Sequence, residues 1–332
     1  MTIDLKTTSV DPVRKTFDHI AEKIGPDKNA TRYQESVWGL QPILNQHYRP
    51  TWDPTKTLYD MSRTVVHMDD FDDLIDPRQY YYGTWTIRRG KQQDSQENNF
   101  NFVESRGLME NVEEVWRDKI RQIVLPLRHV AWAANTNNSY IAAYGFGAPV
   151  TSAAAFQMMD HLGIAQYITR IGLILADNDP EILIDTKALW VKHAMWQPLR
   201  ALMEEAMVTK DWFELHVLQN FLIDGMLYPL FFDRFDRVVT KHTGAAYSMM
   251  NEFTVEWFGE ASRWVDGVIK RAVQESETNK VHVQRWVTTW TPRVQDALKP
   301  LADAAFEEGS GEAVDEIADL LMVRGNKIGL DI

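Results

Sequence analysis

From about residue 108 to the end, helical periodicity runs almost without interruption, and this restricts the fold more than any other feature. Six long segments follow one another, at about 110–143, 150–176, 181–208, 211–242, 247–277 and 280–306, with a shorter one at about 312–323. The breaks between them are short: Gly145 to Gly147, Asn178-Asp179-Pro180, Thr209-Lys210-Asp211, Gly244, and Gly309 to Gly311. Short connections make neighbouring helices antiparallel, and helices of about 27–35 residues span about 40–50 Å. The expected fold class is therefore all-α, a long-helix bundle. Pro126, Pro198 and Pro229 fall inside helical pattern and should kink it.

The texture differs before residue 108. Residues 1–107 are rich in Pro, Trp, Tyr and Asp and read as an N-terminal arm with short helices; residues 108–332 read as the helical domain. One short helix has Asp11 as N-cap, Pro12 at its first position and Gly25 beyond its end. Residues 26–78 lack apolar periodicity and read as mostly extended, with aromatic anchors. Such an arm cannot bury its own rings, so it must lie on its own core or on another subunit. Trp38, Trp52, Tyr80, Tyr81 and Tyr82 are the candidate interface residues. The chain holds 12 tryptophans, an excess that suits either a large core or protein–protein contact.

Composition removes several classes of function. With 35 Lys and Arg against 47 Asp and Glu, the net charge is −12, which disfavours binding to nucleic acid. The absence of cysteine removes disulfides, thiolate nucleophiles, zinc fingers and iron–sulfur clusters. No apolar run approaches the roughly 18 residues of a membrane span. The first residues, MTIDLKTTSV, lack a signal-peptide core, so a cytoplasmic location is expected.

A long-helix bundle invites a search for a carboxylate di-metal site, built from Glu and Glu-x-x-His on facing helices. None of the nine histidines has Asp or Glu three or four positions before it, and no HExxH occurs. In the 150–176 segment, the stripe Ile164, Ile168, Ile171 and Leu175 extends backward through His161, Asp160 and Gln157. Polar groups there read first as hydrogen-bonded core or interface groups, and second as a ligand or proton relay. In the 247–277 segment, Glu260 and Arg263 stand three apart beside the stripe Met250, Phe253, Trp257, Ala261, Trp264 and Val268, as an ordinary helix ion pair. The run Asp69 to Asp73 satisfies DDxxD, the pattern with which all-α prenyl-transfer enzymes hold Mg²⁺ against a diphosphate. It lies before the long helices, beside Asp76-Pro77 and without a second acidic motif, which favours a surface turn. No dinucleotide, P-loop or nucleophile-elbow motif is present.

The whole chain resembles the β subunit of the hydroxylase component in bacterial multicomponent monooxygenases, nearer to the phenol hydroxylases than to the toluene and methane enzymes. The likeness is carried by the Trp/Tyr-rich arm, by RYQESVWGLQPILNQHYRPTWDP, and by AFQMMDHLGIAQYITRIG and EWFGEASRW in the long helices. It implies a ferritin-like bundle without metal, beside an α subunit that carries the di-iron centre. The α-type motif resembles Asp-Glu-x-Arg-His in each half of the bundle. Here His161 stands at the Glu place and Ile164 at the His place of the first motif; Glu260 is retained in the second, where Arg263 replaces the His. These four are the suspected vestigial ligand positions, and this chain is expected to hold no catalytic, cofactor or metal residue of its own. The resemblance further implies an α2β2γ2 hydroxylase, a regulatory protein, and a flavin/iron–sulfur reductase drawing on NADH, for phenol-to-catechol type chemistry. The competing readings are an autonomous Mg²⁺-dependent prenyl-diphosphate enzyme using Asp69 to Asp73, and a non-enzymatic helical adaptor.

Overall fold

The computed structural model describes residues 14–44, 49–306 and 310–332. The proposed cap at Asp11 and Pro12 lies outside them. Among the described residues there is no strand. Two short helices, α1 (Asp18–Ile24) and α2 (Arg32–Val37), precede α3 (Tyr82–Ser105), α4 (Glu114–Ile123), α5 (Leu127–Tyr144), α6 (Ala148–Leu175), α7 (Glu181–Lys192) and α8 (Gln197–Ala206). Next come α9 (Trp212–His216), α10 (Asp224–Tyr228) and α11 (Phe235–Thr243), joined into one run by π-helical segments at Val217–Ile223 and Pro229–Arg234. Three long helices complete the chain: α12 (Ala246–Glu275), α13 (Glu277–Ala305) and α14 (Ser310–Lys327).

The predicted segment at 110–143 is two helices, because the chain turns at Val124 to Pro126 and Pro126 becomes the N-cap of α5. The 181–208 segment also divides, at His193. Pro198 lies in the first turn of α8, where a missing N–H costs nothing. Pro229 opens a π-helical segment, a wider winding that absorbs its missing donor without ending the helix. Pro292 and Pro300 lie inside α13, which runs through both.

The largest departure from expectation is α3, 24 residues of helix inside what read as arm. Its buried face is Gln92, Gln96, Phe100 and Val103, a helical stripe whose first half is polar. Gln96 compensates by bonding along α12: its Nε2 donates to Met250 O (3.0 Å), and its Oε1 accepts from Phe253 N (3.0 Å). Hydropathy alone does not see such a helix.

The rest of the arm is irregular apart from α1, α2 and two 3-10 turns, Met61–Arg63 and Phe71–Asp73. A capping box of Thr31 and Gln34 starts α2. The arm lies on the chain's own bundle and is stitched to it by hydrogen bonds. Val65 N–H donates to Asp211 (2.8 Å), His67 N–H donates to Asn279 Oδ1 (3.0 Å), and Asn279 Nδ2 donates back to His67 O (2.6 Å). Where the arm crosses the start of α6, Gly147 adopts φ +102°, and a Cβ there would stand 2.7 Å from Phe71 O. The tryptophan excess is mostly core: Trp116, Trp196, Trp212, Trp257, Trp264, Trp286 and Trp290 are buried, whereas Trp52 and Trp132 are exposed.

Candidate functional site

The polar centre lies where α5, α6, the α9–α11 run and α12 face one another. Asn137 Nδ2 on α5 donates to Gln219 Oε1 (2.8 Å), and Gln219 Nε2 donates to Asp224 Oδ1 (2.8 Å). Asp224 Oδ2 lies 3.1 Å from His161 Nε2 of α6, close but not aligned for a straight N–H···O bond. Tyr228 Oη is 3.3 Å from His161 Nδ1. Beside this line, Asn138 and Asn220 exchange two bonds of 3.0 Å, and Asn220 also donates to His216 Nδ1 (3.1 Å). All these side chains are buried. His216 has no counter-charge, and burial holds its pKa down to about 3.

A second cluster sits on the outer side of α6 and α12, beneath α3. The Arg89 guanidinium donates to both oxygens of Asp160 (2.8 and 2.8 Å) and to Glu260 Oε2 (2.8 Å). Glu260 also accepts from Arg88 and from Tyr80 Oη (2.9 Å). The indole N–H groups of Trp85 (3.0 Å) and Trp257 (2.9 Å) both donate to Asp160. Burial pushes the Glu260 carboxyl up, but its bonds from Arg89 and Arg88 outweigh that and leave it below the usual range. Bidentate, buried Arg–carboxylate pairing of this kind fixes geometry as well as charge.

The structure brings His161 and Ile164 to the buried face of α6, as the stripe required, and buries Glu260. Arg263 is the correction. It is exposed, and Glu260 pairs with Arg88 and Arg89 of α3 rather than with it. The positive charge among these carboxylates comes from Arg89, which sequence reasoning missed because α3 itself was unseen. The amides Asn137, Asn138, Gln219 and Asn220 were missed too; polar residues set among the apolar positions of α5 and of the α9–α11 run were their available signal.

A di-iron centre needs several carboxylates and two imidazoles converging on one space. The central donors are mainly neutral amides already bonded to one another, with Asp224 the central acid. Among the described residues no three His, Asp or Glu side chains are arranged to hold a metal ion. The donor set does not fit a di-iron centre.

Of the aromatic interface candidates, Trp38 is half-buried beneath Lys23, and Trp52 packs on Tyr140 and Tyr144 with its N–H to Tyr144 Oη (3.0 Å). Tyr80 is held by Glu260, Tyr81 is half-buried, and Tyr82 stands 70% exposed. The acidic run is spent on local structure. Asp70 pairs with Lys23, Asp72 accepts from Gly39 N–H (2.6 Å), Asp73 pairs with Arg271 (2.7 Å), and the backbone of Asp69 bonds Glu275 (2.7 Å). No helix is long and apolar enough to cross a membrane among the described residues.

Comparison with known proteins places this frame. The family model described as Methane/Phenol/Alkene Hydroxylase matches residues 52–276. The chain is 40% identical over 331 residues to "Phenol 2-monooxygenase, oxygenase component DmpL" of Pseudomonas sp. (strain CF600), covering 99% of this chain and 98% of the relative. It is 22% identical over 298 residues to the hydroxylase component subunit beta of the toluene-4-monooxygenase system of Ectopseudomonas mendocina, covering 88% of this chain and 84% of that one. The crystal structure of xenon-pressurized phenol hydroxylase from Pseudomonas sp. OX1 superposes with a TM-score of 0.92 at 40% identity, over 98% of each chain. The expected all-α, ferritin-like helical fold is borne out by that match.

Proposed function

The chain belongs to the methane/phenol/alkene hydroxylase family, and on that premise we propose that it is the non-catalytic β subunit of a phenol-type multicomponent monooxygenase hydroxylase. In this reading it holds the catalytic α subunit, with a small γ subunit, in an α2β2γ2 assembly. The α subunit would carry the di-iron centre and insert oxygen into the aromatic ring. A flavin/iron–sulfur reductase would supply electrons from NADH, and a regulatory protein would gate the reaction, all in the cytoplasm. The observation that carries the reading is the donor set at the bundle centre, where amide pairs and the His161–Asp224 pair stand in place of a carboxylate–histidine constellation. The likeness to a hydroxylase subunit named beta supports it. Tyr82 and Trp52, the most exposed of the aromatic candidates, are the arm positions best placed to meet a partner.

Native purification with subunit identification and iron analysis tests the proposal. The chain should co-purify with an iron-bearing partner, and hydroxylation should require both. Isolated, it should bind no stoichiometric iron and should self-associate. About two irons per isolated chain, or hydroxylase activity from it alone, would refute the reading.

A further inference from the structure

Tyr228 and His161 form a buried phenol–imidazole pair whose chemistry goes beyond packing. Tyr228 is 4% exposed and His161 is fully buried, so bulk water does not compete for the phenolic proton. Tyr228 Oη faces His161 Nδ1 (3.3 Å), and His161 Nε2 faces Asp224 Oδ2 (3.1 Å). Gln219 and Asn137 donate in turn along the same line, which orients the Asp224 carboxylate toward the imidazole. Burial, with the charges of Asp224 and Asp160, pushes the Tyr228 pKa well up, so the phenol keeps its proton at rest. An oxidised phenol, by contrast, is a strong acid. Removal of one electron becomes feasible only where a base waits at hydrogen-bond distance, and His161 Nδ1 is that base.

An independent observation concerns the path to the surface. The Trp257 ring lies 4.9 Å from the Tyr228 ring. Trp257 and Trp85 donate their indole N–H groups to the two oxygens of one carboxylate, Asp160. Trp85 is half-buried and lies 6.4 Å from the ring of Tyr82, which is 70% exposed. Oxidisable rings thus lead inward from solvent to the phenol–imidazole pair. Phe156 stacks on Trp85, and Phe258 lies parallel to Tyr228.

We propose that Tyr82, Trp85, Trp257 and Tyr228 form a one-electron relay that ends at the Tyr228–His161 pair. An outer-sphere one-electron oxidant at the surface, such as a ruthenium(III) polypyridyl complex, is reduced by one electron drawn through the indoles. At Tyr228 the O–H bond breaks, the proton forms an N–H bond at His161 Nδ1, and a neutral tyrosyl radical remains. Return of one electron and that proton restores the phenol. Each indole keeps its N–H bond to Asp160, whose charge stabilises the ring while it carries the hole; at exposed Tyr82 the phenolic proton passes to water and returns when Trp85 replaces the electron.

The test is flash-quench oxidation of the full-length chain with a ruthenium tris-bipyridine complex and a sacrificial electron acceptor, read by transient absorption and freeze-quench electron paramagnetic resonance. A neutral tyrosyl radical that outlives those of exposed tyrosines is expected. Tyr228→Phe should lose it, and His161→Gln, which keeps an acceptor but no basic nitrogen, should lose it too. Trp85→Phe, which keeps an aromatic ring against Phe156 and gives up only the indole N–H bond to Asp160, should slow its rise while the circular dichroism stays native. No long-lived tyrosyl radical in the native chain, its persistence in Tyr228→Phe, or an unchanged rise in Trp85→Phe would overturn the relay.

Discussion

Removing the Arg89 guanidinium while leaving its partners in place tests how the junction of α3, α6 and α12 is held. Arg89→Met keeps the length of the side chain and none of its donors. Asp160 then loses two charge-assisted bonds of 2.8 Å and keeps the indole N–H groups of Trp85 and Trp257. Glu260 loses one bond of 2.8 Å and keeps Arg88 and Tyr80. The two carboxylate side chains are only 2% and 7% exposed, so water replaces little of what is lost. Stripping a buried carboxylate of its ion partner costs about 3–5 kcal/mol. The retained donors place Arg89→Met near the lower end, about 3 kcal/mol. Denaturant unfolding at pH 7, followed by tryptophan fluorescence, reads this directly. Asp160→Asn and the double variant complete a cycle in which the double change should fall short of the summed single costs by about 1–3 kcal/mol. A loss below about 1 kcal/mol in Arg89→Met, or strict additivity, would mean that the guanidinium is not what joins the helices.

Acid should destabilise the fold through His216. Its pKa is about 3 in the folded chain and about 6.5 unfolded, so the unfolded state binds the extra proton, and stability falls by up to about 1.4 kcal/mol per pH unit between roughly pH 6 and 3. His216→Asn should flatten that slope; an unchanged slope would remove His216 as its source. Gly147→Ala should cost about 1–3 kcal/mol, since φ is +102° and the new Cβ would meet Phe71 O, whereas Gly163→Ala in the open middle of α6 should gain about 0.5–1 kcal/mol. Equal thermal midpoints for the two variants would refute the account of the arm crossing. A chelator should leave the unfolding midpoint of the isolated chain where it was, because its central cross-links are hydrogen bonds; a drop of several degrees would reveal a stabilising metal.

The bundle was legible because its signals are local: the runs that became α6, α12 and α13 are long, and Gly and Asn-Asp-Pro punctuation separates neighbouring helices. The buried polar start of the α6 stripe, Gln157, Asp160 and His161, was legible for the same reason, as a stripe continued in polar residues. The failures share one cause, which is polar burial whose partner is far away in sequence. Gln92 and Gln96 carry no apolar signal, and their burial makes sense only once Glu260 and the backbone of α12 are placed against them. Glu260 read as the partner of Arg263 because three residues apart on a helix is close, yet position 263 falls beyond the edge of the buried face while Arg88 and Arg89 reach Glu260 from α3. A spacing rule ranks neighbours within a helix, and it is silent on a stronger partner arriving from another.

The same distinction bears on how this ferritin-like frame keeps a polar interior. Buried polar groups are tolerated only when paired, and an unpaired charge there costs far more than a paired one stabilises. A metal centre satisfies carboxylates from several helices at once. In this chain the cross-linking is divided among small side-chain pairs: Asn138 with Asn220, Asn137 with Gln219, and His161 beside Asp224. Each unit joins the α9–α11 run to α5 or α6, and every residue from Val217 to Ile223, in the π-helical winding, is buried. Asp160 and Glu260, the acids left on α6 and α12, are turned away from that centre toward Arg89. Paired side chains inside and a bidentate arginine outside hold the helices in relation to one another, and that rigidity is the property the proposed scaffold role requires.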